Sequence, residues 1–175
     1  MTESDQFTIE LEKTQKEIEY MGSFNHSLVQ AQLSALLLST YCKFSVFIEL
    51  SLDMSQIDLS QFNIKAKEEL KPDICLYSRN SQNAKVKKHD IIRISEMPLL
   101  AIEIVSPRQS IDEIIAKFEV YFFLGVKSCW LIIPTLEAID IYSNFEQHKI
   151  FDSNNTEIID KNLDIHLPIQ KIFAW

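Results

Sequence analysis

The chain has 175 residues, of which 46% are hydrophobic and 24% charged, and it carries a formal net charge of −8. That balance excludes a disordered polymer, because there is enough apolar side chain for a core; the lack of any apolar run near 20 residues excludes a membrane-spanning helix. The acidic excess counts against tight sequence-independent nucleic-acid binding, whose affinity comes from Lys and Arg displacing counterions.

The opening MTESDQFTIELEK lacks the basic-then-apolar layout of a secretory signal, so a cytoplasmic protein is expected. Residues 1–20 hold six acids against two lysines, whereas residues 65–93 hold eight Lys and Arg against four acids, which is either a local positive face or a solvated loop. Only Gly22 and Gly125 are glycines, and this excludes glycine-rich phosphate loops. Cys42, Cys75 and Cys129 are far apart and the four histidines show no HxxxH spacing, so neither a disulfide framework nor a zinc site is expected. With no repeat and no low-complexity linker, the pattern predicts one domain over 1–175.

Residues 27–42 predict a helix covered along much of its surface, with Leu28, Ala31, Ala35, Leu38 and Cys42 as its apolar stripe, widened by Leu33, Leu36 and Leu37. Residues 44–52 alternate and predict a half-buried strand with Phe44, Val46, Ile48, Leu50 and Leu52 on one face. Asp73 to Ser78 predicts a short strand entered through Pro72, and Leu99 to Val105 a strand covered on both faces. Between them, 79–97 reads as a polar, basic connection. After the break at Pro107, Ser110 and Glu113 form a capping-box signature, and Ile111, Ile114, Ile115, Phe118 and Phe122 make a helical stripe ending at Gly125. Further strands are predicted at Cys129 to Ile133 and Ala138 to Tyr142, and the order strand, helix, strand predicts a right-handed crossover with parallel pairing.

One residue breaks the pattern of its element. Glu103 sits in a strand otherwise built of Leu, Ala, Ile and Val, where an unpartnered carboxylate would be driven to its neutral form. A metal ion, a lysine or backbone donors could compensate, and Asp73, at the head of a neighbouring strand, could bring a second carboxylate to the same point. Two carboxylates with a main-chain carbonyl suit a hard cation such as Mg²⁺ or Mn²⁺. Each residue also has a plainer reading: Asp73 as a turn carboxylate beside Pro72, Glu103 on an exposed edge strand, and Lys117 as an ordinary helix-surface partner of Glu113. His26 would cap or pack the first helix, while Tyr121 and Trp130 would be core or rim aromatics.

The ordered series Pro72-Asp73, Glu103-Ile104-Val105-Ser106-Pro107, Asp112, Lys117, Tyr121, Gly125-Val126 and Trp130 resembles the Uma-type restriction endonuclease family of the PD-(D/E)xK nuclease superfamily, over about residues 25–143. The resemblance implies an α/β fold with a restriction-endonuclease-like core, a central mixed sheet flanked by helices. It implies a Mg²⁺- or Mn²⁺-dependent endonuclease acting on DNA, with Asp73, Glu103 and the Ile104 carbonyl binding metal and Lys117 completing the catalytic set. The superfamily's usual lysine position, two residues after the acid, is Val105 here, and the family's displaced lysine corresponds to Lys117 on the next helix. Glu49 and His26 would flank such a site, at a second metal position or against phosphate. Base contacts would come from loops such as 79–97, and symmetric cuts in duplex DNA would favour a homodimer. The reading from a different class is a catalytically inactive nuclease-fold module that binds nucleic acid or protein, and the position of Lys117 discriminates between the two.

Overall fold

The computed structural model describes residues 22–65, 68–80 and 90–175. The acidic segment 1–20 and, from the basic stretch, Lys67, Lys85, Lys87 and Lys88 lie outside the described residues, as does much of 79–97.

Ser23 starts the first helix, α1 (Phe24–Thr40), its Oγ accepting from the His26 N–H at 3.3 Å. The strand β1 (Phe44–Ile48) follows and stops at Glu49, whose φ of 51° turns the chain out of the extended conformation. This left-handed residue splits the single strand predicted over 44–52: Phe44 and Val46 pack in one cluster, Leu50 packs in another, and Leu52 belongs to a separate short strand, β2 (Leu52–Asp53). β2 pairs antiparallel with β3 (Glu69–Leu70).

The central sheet is then built by β4 (Ile74–Ser78), β5 (Leu100–Ile104), β6 (Ser128–Ile133), β7 (Ala138–Asn144) and β8 (Gln147–Phe151), giving a six-stranded order of β1-β4-β5-β6-β7-β8. Within this sheet only β5 and β6 pair in parallel, as expected, and their connection carries the helix α2 (Ile111–Phe123). At the head of α2, Ser110 accepts from the Asp112 N–H at 3.2 Å, so the cap forms one residue earlier than the Ser110–Glu113 box predicts. The helix ends at Gly125, whose φ of 91° favours a residue without Cβ.

Helices cover both sides of the sheet. Val29, Leu33 and Leu37 of α1 pack with Ile74, Leu76, Ile102 and Trp130, while Ile114, Phe118 and Tyr121 of α2 pack with Ala101, Cys129 and Leu131 from the alternate positions of the same strands. The buried face of α1 is only partly the predicted one: Leu33 and Leu37, from the widened edge of the stripe, are buried and Leu36 is half-buried, whereas its centre is not. Ala31, Ala35, Leu38 and Cys42 are exposed and Leu28 is half-buried, because the sheet takes the opposite side of the helix. Beyond the predicted elements, β9 (Glu157–Asp160) and β10 (Ile165–Pro168) form an antiparallel pair, followed by a one-turn helix, α3 (Ile169–Ile172). Their Ile158, Ile165, Leu167, Ile169 and Ile172 join the α1 cluster, extending the packed core past residue 143. No helix among the described residues is long and apolar enough to cross a membrane.

Candidate active site

β4 and β5 run antiparallel with Ile74 opposite Ile102, so the residue before β4, Asp73, lies beside the end of β5 that carries Glu103. The contact is direct: the Ile104 N–H donates to Asp73 Oδ2 at 2.6 Å. Ile104 thus meets Asp73 through its N–H. Glu103 points to the α2 side of the sheet in a strand buried throughout, and it is 1% exposed, which overturns the exposed-edge reading.

Each acidic residue is held by a pair of side chains four residues apart on one helix, a spacing that puts them on the same helical face, Glu103 through both carboxylate oxygens and Asp73 through its carboxylate and its main-chain carbonyl. From α2, Lys117 Nζ lies 2.8 Å from Glu103 Oε2 and the Tyr121 hydroxyl donates to Oε1 at 2.8 Å. From α1, His26 Nε2 lies 3.1 Å from Asp73 Oδ1 and the Gln30 amide donates to the Asp73 carbonyl at 3.0 Å. Glu49 joins through its backbone, its N–H donating to the same carbonyl at 3.2 Å. Asp73, Glu103, Lys117, His26, Ile104 and Glu49 are therefore brought together, with Tyr121 and Gln30 as additions. Tyr121 is a core aromatic and also a donor to the site. A sequence signal for both additions exists in hindsight: each lies four residues after a candidate, Lys117 or His26.

Burial pushes the Glu103 carboxyl above the usual carboxylate range; the Lys117 ammonium opposes that rise and the Asp73 charge adds to it. His26 is raised above the ordinary histidine value chiefly by its hydrogen bond to Asp73, against the opposing effect of burial, with the charges of Asp73, Glu49 and Glu103 contributing. Burial and the neighbouring Glu103 lift Tyr121 well above its usual value, so it stays a protonated donor.

The donor chemistry fits a hard divalent cation. The charges of Asp73 and Glu103 oppose one another, and each carboxylate oxygen has lone pairs beyond the one engaged by its protein donor. Among the described residues no group of three or more His, Cys, Asp or Glu side chains is gathered to hold a metal by itself. Two carboxylates, with water and substrate oxygens filling the remaining positions, are a usual complement for Mg²⁺. The side chains of Asp73 and Lys117 are 18% and 22% exposed, so the site opens to solvent at these two residues while Glu103 stays covered.

The model of the family described as "Putative restriction endonuclease", Uma2, matches residues 3–170. A crystal structure described as a putative nuclease belonging to DUF820, from Anabaena variabilis, superposes with a TM-score of 0.68 at 20% identity, covering 89% of this chain and 83% of that one, which shows a shared fold. No curated protein matches the sequence. With nearly its whole length matched by one family model and its fold shared with that structure, the chain belongs to the Uma2 family.

Proposed function

We propose that this protein is a divalent-metal-dependent endonuclease that hydrolyses DNA phosphodiester bonds. The observation that carries the reading is the Lys117 ammonium at 2.8 Å from the buried Glu103, with the Asp73 carboxylate anchored beside it on the N–H of the next residue, Ile104. In this reading the α2 lysine would serve the role of the usual superfamily lysine, whose strand position is Val105 here.

Asp73 and Glu103 would hold the metal, with the Ile104 carbonyl as a main-chain ligand, and Mg²⁺ or Mn²⁺ would supply Lewis acidity toward phosphate and a lowered pKa for bound water. The chain's own groups do the rest. Lys117 opposes the rise that burial imposes on the Glu103 pKa and presents a positive charge at the open side of the site, where a phosphate oxygen would gather charge. Tyr121 fixes the second Glu103 oxygen, while His26 and Gln30 orient Asp73. Glu49 stands near enough to His26 to raise its pKa and would be the candidate for contact with a second cation.

Cleavage of supercoiled plasmid in Mg²⁺ and in Mn²⁺ tests this reading, with Asp73→Ala purified in parallel. Metal-dependent nicking lost in the variant supports it. Equal, metal-independent cutting by both proteins, or no cutting together with no metal binding by calorimetry, would leave the inactive nuclease-fold module as the better account.

A further inference from the structure

Helix α1 presents apolar residues on two opposite faces. Val29, Leu33 and Leu37 point into the sheet cluster. About 180° around the helix, at 100° per residue, lie Phe24, Leu28, Ala31, Ala35 and Leu38. Phe24 is 80% and Leu38 55% exposed, and the spacing of four, three, four and three residues keeps them in one straight stripe. A second apolar stripe gives a helix a second surface to cover, whereas a solvated outer face carries charge. Here it carries none: from Tyr20 to Cys42 there is no Asp, Glu, Lys or Arg, in a chain with 24% charged residues.

The shape of the stripe indicates what covers it. Toward its N-terminal end is a groove of about 440 Å³ lined by Gly22, Ser23, Phe24, Ser27, Leu28 and Ala31. Toward its C-terminal end Leu38 projects. Leu28 and Leu38 lie five residues either side of the position of Leu33, about 7.5 Å each way along the axis. The two small residues, Ala31 and Ala35, lie between them, where two helices could approach closely. A two-fold axis beside the helix midpoint therefore carries the Leu38 of each copy into the other copy's groove. Such a contact is isologous and closes on itself. It also suits a chain of net charge −8, which can meet its own copy without desolvating or opposing like charges only over an uncharged face.

We infer that the protein is a homodimer formed by antiparallel packing of α1 against α1 of a second copy, with Leu38 seated in the partner's Phe24–Leu28–Ala31 groove. His26 and Gln30 lie on other sides of the same helix, so the contact leaves the grip on Asp73 untouched. This inference does not depend on the nuclease reading.

Sedimentation equilibrium of the full chain over roughly 1–100 µM tests it, because assembly follows protomer concentration. The wild type is expected to be a dimer and Leu38→Glu a monomer whose urea midpoint matches that of the wild type diluted to its monomer. Association should weaken by about 100-fold or more, since each variant dimer meets the change twice. Leu28→Lys is expected to be monomeric as well. An equimolar mixture of the two variants should dimerise again, since one contact becomes Glu–Lys and the other reverts to Leu–Leu. A wild-type monomer throughout the range would overturn the inference and leave the face to another occupant, residues 1–21 of the same chain or a different protein. A dimer indifferent to Leu38→Glu would overturn it by placing the interface elsewhere, and a mixture that stays monomeric although both variants fold would overturn the antiparallel register.

Discussion

Replacing Lys117 with Met keeps most of the aliphatic stem but removes the cation that faces a carboxylate 1% exposed. Breaking one side of a buried ion pair costs about 3–5 kcal/mol, and a charged hydrogen bond contributes about 1.5–3. Because the Lys117 side chain is 22% exposed while that of Glu103 is 2% exposed, the lower end of the first range applies, about 3 kcal/mol near pH 8. With a urea slope of about 2 kcal/mol per molar, that moves the unfolding midpoint down by about 1.5 M. The assay is urea titration in EDTA, followed by the fluorescence of Trp130, which is fully buried. The loss must depend on pH. Glu103 is raised above its unfolded value, so its folded form binds the extra proton, and stability falls as pH rises from the ordinary glutamate value through the raised one. Removing Lys117 lifts that pKa further and carries the fall to higher pH, so the variant's deficit should shrink toward pH 5. In a Glu103→Gln background Lys117→Met should cost under about 1 kcal/mol, a coupling of about 2–3 kcal/mol. A deficit equal at pH 5 and pH 8, or one that survives in the Gln background, would refute the charge-based account and assign Lys117 to packing.

Other outcomes follow from the same site. Tyr121→Phe should fold and lose about 1–2 kcal/mol, because one oxygen of a buried carboxylate is left without its donor; urea titration measures it. His26 is raised by its bond to Asp73, so its stabilising effect is complete below the unfolded histidine value and is lost as pH rises through the folded one. The stability gap between wild type and His26→Gln should therefore be widest near pH 6 and narrow toward pH 9. If Asp73 and Glu103 hold a metal, Mg²⁺ at about a hundred times its Kd should add about 2.7 kcal/mol to wild-type stability and nothing to Asp73→Asn, read by thermal melting.

Much of the sheet is legible from patterning alone. β4, β5, β6 and β7 stand where short apolar runs put them, since strands covered on both faces have little room for polar residues. α2 was similarly legible, its stripe bounded by Ser110 and Gly125. The break after β1 was not, because a positive φ at a glutamate has no composition signal; it appears only where the Glu49 N–H reaches the Asp73 carbonyl. The C-terminal strands were also missed, since β9 and β10 are four residues each, too short for periodicity to register. For α1 the sequence carries two apolar stripes, and periodicity alone does not tell which one meets the sheet. The predicted residues span both, Leu33 and Leu37 meeting the sheet and Leu28, Ala31, Ala35 and Leu38 facing out, and that same ambiguity is the mark of a helix with two surfaces to cover.

The site was legible for a different reason. Glu103 contradicts its surroundings, and a buried carboxylate has to be compensated by something that sequence leaves open: a cation, a lysine or backbone donors. The structure supplies the lysine and a tyrosyl hydroxyl, both from α2, and sets Asp73 alongside under a matching grip from α1. This arrangement explains how a lysine on a helix could stand in for one on the strand. From Val105, a side chain would share the face of Glu103 with its reach limited by the strand pleat. From about two turns into the covering helix, Lys117 comes down on the carboxylate from above, with Tyr121 four residues on locking the helix to the other oxygen. A lysine held this way is positioned by the docking of α2 on the sheet, so substitutions that loosen that docking, such as Phe118→Ala at a fully buried position, should displace Lys117 from Glu103 as well as cost about 3–5 kcal/mol. A Phe118→Ala protein that folds at low temperature and retains the pH-dependent Lys117–Glu103 coupling at full strength would show that the ion pair positions the helix, and not the reverse.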